Sequence, residues 1–166
     1  MKKYEIIDIK HPTSPSLHRI RALRDIPRYG VKAGNFGGYI VNESNLSQDG
    51  DCWIGGDAAV FGNARIYENA GIGGMALVYG DACVFGNAIV CGETAVCHTS
   101  NINGNVCVPG DCIIINNLTA NMKVERSIWK QSISNIEWDR VQWNKEIHDV
   151  SWHEVKAKIN VKEWIC

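Results

Sequence analysis

A β-branched apolar residue returns at every sixth position through the middle of this chain. Ile54, Val60, Ile66, Ile72, Val78, Val84, Val90, Val96, Ile102, Val108 and Ile114 hold the pattern without a miss. A second register lies four positions later: Ala58, Ala64, Ala70, Ala76, Ala82 and Ala88, then Thr94, Ser100, Val106, Cys112 and Leu118. Between the two run Gly-Asp and Gly-Asn pairs such as Gly56-Asp57, Gly62-Asn63, Gly80-Asp81 and Gly104-Asn105. A period of six is neither the 3.6 of a helix nor the 2 of a lone strand. It fits a short strand and a turn, repeated. The β-branched residue points inward, the small residue four later also points inward where no second bulky group fits, and Gly with Asn or Asp supplies the turn. Three such units close one triangular coil of 18 residues, and stacked coils pair as parallel strands about 4.8 Å apart. Residues 46–120 therefore predict about four coils, a prism ~20 Å tall.

The flanks read differently. Residues 4–9 (Tyr-Glu-Ile-Ile-Asp-Ile) predict a strand, 11–16 a loop, and the alternating Leu17–Leu23 stretch a second strand. Segment 1–40 is expected to cap the open N-terminal coil, because an uncapped solenoid exposes unpaired backbone and an apolar cross-section. In 121–166, Ile136-Glu-Trp138-Asp-Arg-Val141 and Val150-Ser-Trp152-His-Glu-Val155 share one pattern. Their β-branched and aromatic content favours short antiparallel strands over a helix. The expected class is all-β: an N-terminal β cap over 1–40, a β-helix over 41–120 and a Trp-rich C-terminal β module over 121–166.

Charge sharpens this division. Segment 1–40 holds eight Lys/Arg and three Asp/Glu, 41–120 one and eight, and 121–166 eight and seven. The net charge is −1, so no global basic field draws nucleic acid, and direct nucleic-acid binding is not expected. No run approaches the ~18 apolar residues of a membrane span, and the opening residues lack the apolar core of a secretion signal. The expected compartment is cytoplasmic and reducing. There the seven cysteines are read as free, mostly buried thiols, since no C-x-x-C spacing marks a zinc site.

The entrance to the repeat carries a resemblance. Arg24-Asp25-Ile26, then Val31-Lys32-Ala33-Gly34-Asn35-Phe36-Gly37-Gly38-Tyr39-Ile40, then Leu46-Ser47-Gln48-Asp49-Gly50-Asp51-Cys52-Trp53-Ile54, lead into the hexads. Over roughly 17–120 the chain resembles an uncharacterised hexapeptide-repeat family of bacterial and phage genomes. The resemblance implies a left-handed parallel β-helix. It also implies a homo-oligomer (trimer by family habit, dimer as the other option) and a host-cell cytoplasmic setting if the chain is phage-encoded. Members are often given an acyltransferase name on the strength of the repeat alone. That implies, as one function, transfer of an acyl group from acetyl-CoA with a His as base.

The residues themselves favour another function. The hexad register never slips between 46 and 120, so no loop projects to shape a substrate pocket. The one His in the coils, His98, stands where other hexads place Gly and has no evident carboxylate partner; it is the candidate base of the acyltransferase alternative. Outward positions 18 apart place Phe61 over Tyr79 and Tyr67 over Phe85, as aromatic columns that suit a self-associating or partner-binding face. Trp138, Trp143 and Trp152 are further partner-contact candidates. Arg19, Arg21, Arg24, Arg28 and Lys32 read either as a partner site or as a solvated strand face. The expectation is a non-catalytic interaction protein, without cofactor or metal, that oligomerises and binds a host protein or ribonucleoprotein complex. Its sharpest form is a phage-encoded antagonist of a defence system, anti-CRISPR-like, whose acidic prism occupies a groove meant for nucleic acid.

Overall fold

The computed structural model describes residues 1–108, 113–114 and 117; the C-terminal tryptophans lie outside the described residues. Among those described the fold is all-β, apart from two short 3-10 turns, Pro27–Tyr29 and Glu43–Asn45. Three longer strands come first: β1 (Tyr4–His11), β2 (Ser14–Ala22) and β3 (Phe36–Ile40). Eleven two-residue strands follow, one per hexad. They are β4 (Trp53–Ile54), β5 (Ala59–Val60), β6 (Arg65–Ile66), β7 (Gly71–Ile72), β8 (Leu77–Val78), β9 (Cys83–Val84), β10 (Ile89–Val90), β11 (Ala95–Val96), β12 (Asn101–Ile102), β13 (Cys107–Val108) and β14 (Ile113–Ile114).

Every third strand stacks. The first face is the sheet β1-β2-β3-β5-β8-β11-β14, the second β4-β7-β10-β13, the third β6-β9-β12. Pairing is parallel from β3 onward, with Ile54 against Ile72, Val60 against Val78 and Ile66 against Val84. That offset of 18 makes the hexad fold a parallel β-helix. The strands are short, but the ladder between coils continues through the turns, as in Gly55 N–H to Ile72 O (2.8 Å) and Asp57 N–H to Gly74 O (2.9 Å).

The interior follows the two registers. Ile54, Val60, Val78, Val84, Val90, Val96 and Ile102 are fully buried, and so are the six alanines from Ala58 to Ala88. Where the small register turns polar, backbone carbonyls satisfy it: Thr94 Oγ1 donates to Cys91 O (2.9 Å) and Ser100 Oγ to Cys97 O (2.6 Å). Gly38 sits where the cap meets the first coil, and a Cβ there would lie 2.3 Å from Ala58 O. Only a bare backbone fits.

The cap is a β meander. β1 and β2 pair antiparallel, as do β2 and β3; β3 then turns parallel to β5 through Tyr39–Ala59 and Ile40–Val60. The expected loop over 11–16 is shorter than the Pro and Ser content suggested. His11 pairs with Ser14, which leaves a turn at Pro12–Thr13, and Thr13 N–H donates to His11 Nδ1 (3.2 Å). Tyr4, Ile20, Ile26 and Leu46 join the core of the coils, so the cap and the prism share one interior.

Candidate functional site

The three faces differ in what they carry outward. On the first, Phe61 stacks on Tyr79 with centroids 5.2 Å apart and planes 5° apart. On the third, Tyr67 stacks on Phe85 at 4.8 Å and 6°. The stacking expected from the 18-residue offset is present. The expected exposure is not uniform. Phe61 is 1% exposed, in a second apolar cluster with Leu17, Tyr39 and Ala59, while Tyr79, Tyr67 and Phe85 are half-buried. Strand β2 brings Leu17 onto this face, a contact that periodicity within the repeat does not contain. Phe61 therefore packs within its own chain rather than standing as a surface group.

The second face breaks the aromatic pattern. In the first two coils the outward position after each inward residue is Phe61, Tyr67, Tyr79 and Phe85 on the other two faces, but Gly55 and Gly73 here; in the third coil it is Cys97 and Asn103 there and Cys91 here. Two explanations for a glycine can be tested. A Cβ at Gly73 would meet only Cys91 Cβ at 3.9 Å, and one at Gly55 would meet Trp53 at 3.7 Å, both ordinary contact. Neither has a positive φ. Gly71 differs, because a Cβ there would lie 2.6 Å from the Tyr29 ring, which crosses the face and donates its hydroxyl to Asn69 O. Gly55 and Gly73 are thus not demanded by the fold. Each lies directly after its strand, β4 and β7, and leaves the face bare of a side chain there.

These glycines floor an open groove of about 450 Å³, walled by Tyr29, Phe36 and Trp53 at one end and Ile89 and Cys91 at the other. Phe36 is 55% exposed and Ile89 37%, among the largest apolar exposures of the described residues; Met75, beside Gly74, is exposed as well. The groove holds no carboxylate or imidazole among its lining residues. Burial raises both titratable groups on its wall, the Tyr29 phenol and the Cys91 thiol.

His98 lies elsewhere, after β11 on the first face. It occupies the turn position that glycines hold in the other hexads, at φ 60°, and Glu68 is the other non-glycine there, at φ 57°. Such a backbone costs on the order of 1 kcal/mol for a residue with a Cβ. Glu68 is compensated, since its Oε2 accepts from Gly86 N–H at 2.9 Å. His98 Nδ1 lies 3.1 Å from Cys97 Sγ. A thiol beside an imidazole is the raw material of a nucleophile, but a nucleophile needs the thiolate and access. Cys97 is fully buried, and burial pushes its thiol up, opposed by its hydrogen bond with Tyr79.

Four of the five residues Arg19, Arg21, Arg24, Arg28 and Lys32 pair with acids of the chain. Arg19 reaches Asp57 (3.4 Å) and stacks over Tyr39, Arg21 pairs with Glu5, Arg24 with Asp51 (3.4 Å) and Lys32 with Asp25 (2.8 Å). Arg28 lies over the Tyr29 ring. These ion pairs stand at the surface of the cap, exposed or half-exposed. Among the described residues no three His, Cys, Asp or Glu side chains gather as a metal would require, and no helix is long and apolar enough to cross a membrane.

No family model matches this sequence, and no curated protein matches it either. The fold is that of a capped parallel β-helix, with a glycine-floored groove on its second face.

Proposed function

We propose that this chain is a non-catalytic interaction protein: a rigid β-helix that self-associates and holds a macromolecular partner, with the glycine-floored groove as the contact surface. The observation that carries the reading is the pair Gly55 and Gly73, side-chain-free without structural need and rimmed by exposed Phe36 and Ile89. An apolar protein side chain entering the groove would bury against its aromatic end, where Tyr29, Phe36 and Trp53 stand. The acyltransferase alternative needs a base beside bound acetyl-CoA. His98 is on a different face from the groove, so the two do not form one site. The resemblance to hexapeptide-repeat proteins of bacterial and phage genomes supports the sharper form: a phage-type antagonist whose partner is a host protein or ribonucleoprotein, anti-CRISPR-like.

Light scattering on the size-exclusion peak tests self-association. The wild type should exceed the 18.4 kDa chain mass, and Ile89→Asp should shift it toward monomer with little change in melting temperature. Capture from a host extract should lose the partner with the same variant. Turnover of acetyl-CoA that disappears in His98→Ala would sink the proposal. So would a shift on millimolar coenzyme A near the ~1.4 kcal/mol expected of a 100 μM site.

A further inference from the structure

Lys3 and Cys52 meet inside the cap. Lys3 is fully buried, and its Nζ lies 3.0 Å from Cys52 Sγ and 3.2 Å from Asp49 O. Cys52 is fully buried too, beneath the 47–51 turn. No carboxylate among the described residues forms an ion pair with Lys3. A buried ammonium without a counter-charge is costly, so the pair is driven toward amine and thiol. Burial acts on both groups in that direction, lowering Lys3 and raising Cys52. Cys83 and Cys91 sit against carbonyls, and Cys97 against a carbonyl and an imidazole.

We propose that Lys3 and Cys52 are a peroxide-sensitive modification site that closes into a covalent nitrogen–sulfur link. Hydrogen peroxide, small enough to enter through local opening of the 47–51 turn, is the oxidant. With the turn open, the unprotonated Lys3 Nζ, 3.0 Å away, takes the thiol proton as the sulfur attacks the peroxide; the S–O bond forms, the O–O bond breaks, and the departing hydroxide recovers that proton from Lys3 as water, giving the sulfenic acid. The unprotonated Lys3 Nζ then attacks that sulfur. The S–N bond forms, the S–O bond breaks, and hydroxide departs with the proton shed by nitrogen, as a second water. One peroxide is consumed and two hydrogens are lost from the protein. The product is a sulfenamide that pins strand β1 to the first coil, across 49 positions of sequence.

Peptide mass spectrometry of the full chain after peroxide, with free thiols blocked during digestion, tests this. Trypsin cannot cut at a linked Lys3. The expected species joins the Lys3–Lys10 peptide to the 33–65 peptide, whose sole cysteine is Cys52, at a mass about 2 Da below their sum. It should disappear on thiol reduction, in Lys3→Arg, in Cys52→Ser and in chain unfolded with urea before oxidation. Recovery of Cys52 as sulfinic acid with Lys3 still cleavable overturns the proposal. So does equal linking in the unfolded chain, or an unmodified Cys52 when the more exposed Cys83 and Cys91 are oxidised.

Discussion

Gly73→Val tests whether this glycine serves contact with a partner or the fold. At Gly73 an added Cβ has one neighbour, Cys91 Cβ at 3.9 Å, and the backbone is not left-handed. Removing the glycine should stabilise by about 0.5–1 kcal/mol through the unfolded chain's lost freedom. For a chain of this length that is a rise of roughly 1–4 °C in melting temperature. Gly38→Ala is the counterpart. Its Cβ would lie 2.3 Å from Ala58 O and 2.5 Å from Ile54 Cγ2, so backbone must move, at a cost of about 3 kcal/mol or more. Differential scanning calorimetry on both variants, beside light scattering, makes the comparison. The expected result is opposite signs in stability, with self-association and partner retention lost in Gly73→Val alone. If Gly73→Val destabilises, the glycine is structural. If it stabilises and leaves association intact, the groove is not the contact surface.

Three further outcomes follow from named contacts. Asn45 is fully buried at the entrance to the coils; its Nδ2 donates to Gly62 O and Ala64 O, and its Oδ1 accepts from Val41 and Asn42 N–H. Asn45→Leu strands all four backbone groups and should cost about 2–4 kcal/mol in urea unfolding; a loss under 1 kcal/mol would refute that role. A double-mutant cycle on Tyr67 and Phe85, both to Leu, should return a coupling of ~0.5–1 kcal/mol from the 4.8 Å stack, and zero coupling would mean the stack adds nothing beyond burial. Stability should fall as the pH climbs above about 9. Tyr4, Tyr79, Cys52 and Cys97 are all raised by burial, so the unfolded chain releases those protons first and their contribution, complete below the ordinary thiol and phenol values, is lost above them. Lys3, lowered by burial, acts the other way but is one group against four. Chemical denaturation at pH 8 and 10 reads the sign, and a flat profile would contradict the burial of these groups.

The prism was legible because its constraint is local and repeated. Each hexad must place one branched residue inward and turn, so Ile54 to Ile114 announce the winding without help from distant sequence. The aromatic stacks followed from the same offset of 18. The cap was legible only in outline, because its contacts cross distances that no period marks. Tyr4 donates its hydroxyl to Leu46 O, Leu17 covers Phe61, and Lys3 meets Cys52. The groove was missed for another reason. Gly55 and Gly73 look like two more glycines in a chain that needs many for its turns, and only φ and the space around each Cβ separate the two kinds. The visible signal was that they fill the column where the other faces carry Phe and Tyr.

Two ways of holding a partner differ in how they respond to salt. The excess of acids over 41–120 suggested a rod that occupies a nucleic-acid groove, yet Glu43, Asp51 and Asp57 are bound by Lys2, Arg24 and Arg19 of the cap. These exposed or half-exposed pairs contribute little stability, about 0–1 kcal/mol each, and they offset three of the eight acids of 41–120. An apolar side chain in the glycine-floored groove gains by leaving water, a term that moderate salt does not weaken. Partner affinity measured between about 50 and 500 mM NaCl should therefore change by less than roughly threefold. Charge-driven mimicry would instead lose orders of magnitude over that range, as phosphate-seeking proteins do. A steep loss, retained in Ile89→Asp, would move the contact surface from the groove to the carboxylates that remain on the prism, Asp81 among them.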